Sequence, residues 1–234
     1  MDSVISWLQV AVAFGTVIMF GCMGEILTER SGNLNLGVPG LMYFGGIASL
    51  TGVFLYQNAV QAAIKKGIEA FTAAGGAADG WQPEGLLRLF VQHNPNAAAT
   101  MFWDANGVVG VVIALICGFS AAALGGLLYS FITITLRANQ NVTGLTLTIF
   151  GSGVANFFGG SLVKLSGGVG QISVATTSQA FRASVPWLSQ QGAVGKALFS
   201  YGFLAYVAII LAICIQIFLF KTRKGLNLDR KSVV

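Results

Sequence analysis

Five stretches of the chain, residues 3–24, 31–64, 105–136, 138–163 and 197–220, contain no Asp, Glu, Lys or Arg. Each exceeds the roughly 20 apolar residues that an α-helix needs to cross the core of a bilayer. The pattern predicts an all-α, polytopic transmembrane protein of about five membrane spans, at residues 4–27, 39–56, 108–136, 142–162 and 197–220. One stretch interrupts it. Residues 24–40 set two glutamates, an arginine, two asparagines and a proline between two apolar runs. Gly32, Gly37 and Gly40 with Pro39 predict a broken or re-entrant segment there, and Pro39 suits the start of the second span, where its missing N–H costs little.

The spacing between the spans divides the chain further. Residues 1–57 carry spans one and two with the turn at 24–40, residues 58–107 form a hairpin insertion, residues 108–220 carry spans three to five, and residues 221–234 form a basic tail. The insertion holds two pieces with helical spacing, residues 59–74 and 84–92, separated by Gly75-Gly76 and Asp79-Gly80. Phe71, Trp81, Leu86, Leu87 and Phe90 would lay it against the membrane interface, or else it is a solvated loop with two helical turns. In span three, Gly118, Ala122 and Gly126 recur every four residues, a pattern that lets another helix approach closely. Residues 164–196 read as a connecting segment with a short interfacial turn.

Composition agrees with this class. Charged residues make up 9% of the chain, against about a quarter in an ordinary soluble domain. Asp2 and the length of the first apolar run predict a first span rather than a cleaved leader. The net charge of +5 is spread over helix ends, which points to membrane topology rather than nucleic acid. With the C-terminus inside and five crossings, the N-terminus lies outside. Arg30, Arg137, Lys221, Arg223, Lys224, Arg230 and Lys231 then fall inside, beside helix ends, while Lys65, Lys66, Arg88, Lys164, Arg182 and Lys196 fall outside. The hairpin is then extracytoplasmic and the tail cytoplasmic.

Candidate chemistry is sparse. No phosphate-binding Gly-x-x-x-x-Gly-Lys-Ser/Thr loop, nucleophile elbow or metalloprotease His/Glu pair occurs, so the chain is not read as an enzyme, and it has no metal site. Cys22, Cys117 and Cys214 fall in apolar runs as small filler, and His93 has no assigned role. In the turn, Asn33 and Asn35 carry donors and acceptors suited to sugar hydroxyls or base edges, or else they cap the second span. Glu25, Glu29 and Arg30 are spaced for local ion pairing at a helix end. In span four, Thr148, Ser152 and Asn156 share one helical face, which would either line a solute path or hydrogen-bond neighbouring helices.

Two segments carry a resemblance. Gly24-Glu25, Thr28-Glu29-Arg30-Ser31-Gly32, Leu34-Asn35-Leu36-Gly37 and Pro39-Gly40-Leu41-Met42 resemble the N-terminal signature of bacterial ATP-binding cassette (ABC) transporter permeases of the branched-chain amino acid and simple-sugar type. The nearest group is the nucleoside permeases that work with basic-membrane-protein lipoproteins. Leu136-Arg137-Ala138-Asn139-Gln140-Asn141-Val142-Thr143-Gly144-Leu145-Thr146-Leu147 is similar to that group's segment before its mid-chain span. The resemblance runs from about residue 10 to residue 228 and is weakest at residues 58–107.

It implies a permease subunit of the bacterial inner membrane that imports nucleosides or related simple sugars. The implied partners are cytoplasmic ATPase subunits that use the ATP, a second permease chain and an extracytoplasmic substrate-binding lipoprotein; this chain binds no cofactor itself. Asn139, Gln140, Asn141 and Gly144 are then the second motif, partnering Glu25, Glu29, Arg30, Gly32, Gly37, Pro39 and Gly40 in the first. Lys221-Thr222-Arg223-Lys224-Gly225-Leu226-Asn227-Leu228 resembles the start of the family's coupling loop, but the continuation departs from it, which predicts a truncated permease or one whose remainder a second polypeptide supplies. The competing readings are a small helical membrane assembly protein, an inactive permease fragment and an ion-driven transporter. The last is disfavoured because Glu25 is the one candidate carboxylate within the spans.

Overall fold

The computed structural model describes residues 2–32, 34–93, 103–165, 174–182 and 201–230. Among these, five helices are long and apolar enough to cross a membrane. Helix α1 is Asp2–Arg30, α2 is Val38–Ala73, and a short helical turn α3 is Leu87–Phe90. Helix α4, Gly107–Ser130, passes into a π-helical segment, Phe131–Thr135. Then come α5 (Gln140–Leu165), α6 (Ala175–Phe181), α7 (Phe203–Lys221) and α8 (Arg223–Arg230). Two three-residue strands, β1 (Val91–His93) and β2 (Trp103–Ala105), pair antiparallel with Gln92 opposite Asp104.

The described residues fall into two compact units. One comprises those within 1–44, 122–154 and 181–234, the other those within 45–121 and 155–180. In the first unit, α1 and α7 run side by side in the same sense. Residues from Gln9 to Val17 of α1 share a cavity with Leu204 and Ala205 at the start of α7, while Arg30 at the end of α1 lies 5.1 Å from the centroid of the Phe220 ring at the end of α7. Helix α8 folds back on the end of α7. The Thr222 hydroxyl donates to the Phe218 carbonyl and accepts from the Gly225 N–H, capping α8, and Gly225 sits so close to the Phe218 carbonyl that a Cβ would collide with it.

The second unit has a core of Val60, Ile64, Trp81, Val91 and Ala105, with Tyr56, Ile68, Leu87 and Trp103 packed around it. Here the expected boundaries change. The helix that carries the second span does not end near residue 56: α2 continues to Ala73, because no proline follows Pro39 within it and Lys65, Lys66 and Glu69 lie on its exposed side. The chain first turns at Gly75, whose φ of 88° only glycine adopts easily. Trp81 is core rather than an interfacial anchor, and Leu86 and Phe90 are exposed. His93 stacks edge-on against Trp103, its cross-strand partner, at 5.4 Å.

Close helix approach also occurs at a different set of small residues from the expected one. A Cβ at Gly118 would collide with the Ser49 hydroxyl, and one at Gly125 would lie 2.7 Å from a Leu41 methyl, whereas Gly126 faces open space. Seven residues nearly complete two helical turns and eight overshoot them, so Gly125 rather than Gly126 returns to the face of Gly118. Cys117 does act as filler: its sulfur occupies the space that a Cβ on Gly52 would need. Of the connecting segment, α6 supplies a short helix, and residues 183–200 lie outside the described residues.

Candidate functional site

The break between α1 and α2 is narrower than residues 24–40. Glu25, Glu29 and Arg30 are still helical, and Pro39 and Gly40 already belong to the first turn of α2, leaving residues 31–37 as the connection. Gly32, at φ 81°, ends α1 in the left-handed conformation, with its N–H bonded to the Glu29 carbonyl at 2.9 Å. Asn35 is buried, and its Oδ1 accepts the Gly37 N–H at 2.9 Å. Its side-chain oxygen therefore shapes the turn entering α2. Glu25, near the end of α1, lies close to the Asn35 backbone and one helical turn before Glu29. Asn33 lies outside the described residues.

The second motif is a helix stop followed by a helix start. Arg137 adopts φ 52° and the Ala138 N–H reaches back to the Ile132 carbonyl at 3.2 Å, closing the end of α4 and its π-helical extension. Asn139 then caps α5, its Oδ1 accepting the N–H groups of Asn141 at 3.0 Å and Val142 at 3.3 Å. Gln140 and Asn141 are exposed in the first turn of α5.

The structure brings the two motifs together within the first unit. A Cβ on Gly144 would lie 2.8 Å from the Gly37 nitrogen, one on Gly40 would run into the Leu147 carbonyl, and one on Gly151 would lie 2.6 Å from the Gly40 carbonyl oxygen. Three glycines thus let α5 touch the backbone of the turn and of α2. The Thr148 hydroxyl bridges the joint, donating to the Leu36 carbonyl at 2.7 Å, a group that the broken helix would otherwise leave unpaired. Ser152 is half-buried and bonds back to the Ile149 carbonyl at 2.8 Å, while Asn156, a turn further along α5, falls in the second unit and is exposed.

Two polar features escape a reading of spacing alone. Tyr129 of α4 is 5% exposed, and among the described residues its hydroxyl has no hydrogen-bond partner, though the Glu25 carboxylate acts on it electrostatically. In the second unit, Gln57 donates to the hydroxyls of Thr176 at 2.9 Å and Thr177 at 3.3 Å, and Gln61 to Asp104 at 2.8 Å. These pairs join residues 43 to 120 positions apart, so no local pattern announces them. Among the described residues no group of His, Cys, Asp and Glu could hold a metal ion.

The profile of the family described as "Branched-chain amino acid transport system / permease component" matches residues 7–229. A putative glucose ABC transporter permease protein of Haloferax volcanii, TsgC13, is 24% identical over 94% of this chain and 50% of its own length. The nucleoside ABC transporter permease protein NupC of Lactococcus lactis is 26% identical over 97% of this chain and 56% of its own. The guanosine ABC transporter permease protein NupQ of Bacillus subtilis is 25% identical over 93% and 52%. The chain therefore spans about half the length of the curated relatives it matches. No solved structure matches it.

Proposed function

Because the chain belongs to the family of branched-chain amino acid transport system permease components, we propose that it is a permease subunit of an ABC importer for nucleosides or related simple sugars. The observation that carries this reading is the joint between the motifs. Gly40, Gly144 and Gly151 pack backbone on backbone at a broken helix, and broken helices at membrane depth are where transporters commonly form polar solute sites. The relatives' names, guanosine, nucleoside and putative glucose permeases, support a neutral hydroxylated solute.

In this reading Asn33, Asn35, Thr148, Ser152 and Asn156 border the solute path. Asn35 and Thr148 do so chiefly by fixing the turn, since their side chains bond the Gly37 N–H and the Leu36 carbonyl. Cytoplasmic ATPase subunits supply the energy, a second permease chain completes the pore and an extracytoplasmic lipoprotein delivers the solute. The chain lies in the bacterial inner membrane with its N-terminus out. The parallel course of α1 and α7 supports that sense, because it puts Arg30 beside the basic residues Lys221, Arg223 and Lys224 at one end.

Thiol chemistry tests the path. Cysteines introduced at positions 148, 152 and 156 of the assembled transporter are expected to react with a membrane-impermeant polar thiol reagent and to be protected by a nucleoside. Cysteines at the exposed apolar positions 149 and 157 should react slowly, as lipid-facing residues do. If all three path positions stay unreactive, the assignment of this face of α5 to the solute path is wrong.

A further inference from the structure

We propose that the cavity of about 640 Å3 beside the end of α2 in the second unit is a binding site for a neutral polyhydroxylated ring, a furanose or pyranose, free or as part of a nucleoside. Its volume lies within the roughly 300–1,000 Å3 of small-molecule sites. Phe71 and Trp81 provide apolar walls, and Gln82 and Glu84 provide the polar groups.

Both rings are held by glycines. A Cβ on Gly67 would lie 2.5 Å from the Trp81 indole, so the ring rests directly on the α2 backbone. The Phe71 ring is seated against Gly76 in the same way, with the nearest ring atoms after the closest one 2.7 Å from where a Cβ would stand. Trp81 is pinned again from behind, where its carbonyl accepts the Trp103 indole N–H at 3.2 Å and the two indoles meet edge to face at 6.5 Å. Such walls lose little freedom when a ring stacks on them. Phe71 remains 38% exposed and is the platform that an incoming ring can reach.

Gln82 and Glu84 stay exposed while lining the same cavity as Phe71 and Trp81, and the buried Pro83 between them restricts the backbone φ there. A carboxylate can accept hydrogen bonds from two hydroxyls of a diol, and the carboxamide both donates and accepts. The carboxylate also disfavours phosphorylated ligands by charge repulsion. These arguments rest on the walls of this cavity alone and stand apart from the path along α5.

The full chain in lipid nanodiscs, with no ATPase present, should bind radiolabelled adenosine, ribose or glucose saturably in equilibrium dialysis, whether or not it later proves to transport them. Glu84→Ala and Phe71→Ala should each weaken that binding about tenfold or more, the scale expected for loss of a stacked ring or a charge-assisted hydrogen bond. Leu86→Ala, at an exposed residue 77% accessible, should leave it unchanged. Adenosine 5′-monophosphate should bind more weakly than adenosine. The proposal fails if none of the three probes binds saturably, if binding survives both Glu84→Ala and Phe71→Ala, or if the monophosphate binds as tightly as the nucleoside.

Discussion

Replacing Gly40 by alanine is expected to destabilise the folded chain by about 1–3 kcal/mol, the usual cost of forcing an extra methyl group into a filled space. The new Cβ would stand 2.7 Å from the Leu147 carbonyl carbon and 2.8 Å from Thr148 Cα. Those are backbone atoms of α5, so relief requires the helices to part. Parting them would also pull the Thr148 hydroxyl from the Leu36 carbonyl, now 2.7 Å away, at a further cost of about 1 kcal/mol. The matched control is Gly46→Ala on the same helix, where nothing lies within 4 Å of the added carbon. Removing a mid-helix glycine there should instead raise stability by about 0.5–1 kcal/mol. Thermal unfolding in a mild detergent reads both, and equal shifts of one sign would show that the motifs are not packed as described.

Tyr129→Phe is expected to stabilise the chain, an unusual direction for a buried substitution. The hydroxyl is enclosed and has no described partner, and an unmet buried polar group costs about 1–3 kcal/mol. Phenylalanine keeps the ring and the packing of a residue that is 5% exposed while removing that cost. The bond from the Thr133 hydroxyl to the Tyr129 carbonyl, 2.9 Å, does not involve the phenol and should persist. The unfolding midpoint should rise. A fall would mean that the hydroxyl is bonded in the working protein, with Glu25 the acceptor already nearby.

The spans were legible because freedom from charge over 20 or more residues is a solvent-driven pattern that no tertiary context overrides. The end of α2 was legible too, in the helical spacing of residues 59–74 and the Gly75-Gly76 break, but its continuity with the second span was not, since Lys65, Lys66 and Glu69 look like a departure from the apolar phase. Residues 24–40 were marked correctly as a break but too widely, because Pro39 and Gly40 are tolerated in a first helical turn and Gly40 serves contact rather than bending. Asn35 was read as a solute group or a cap, and it is seen bonding the Gly37 N–H, while the same kind of role for Asn139, which caps α5, went unread. The role of Gly67 was hidden, because it depends on Trp81, which reaches it only after the chain reverses. The three-residue strands are too short to carry a period of two.

The measurement that bears most directly on the permease reading is ATP-driven uptake in proteoliposomes containing the chain together with its ATPase and substrate-binding lipoprotein. The expected result is accumulation of radiolabelled guanosine or adenosine that requires ATP hydrolysis, is competed by unlabelled nucleoside and disappears when this chain is left out. An assembly that hydrolyses ATP yet accumulates no nucleoside or simple sugar above the level seen without this chain would contradict the account.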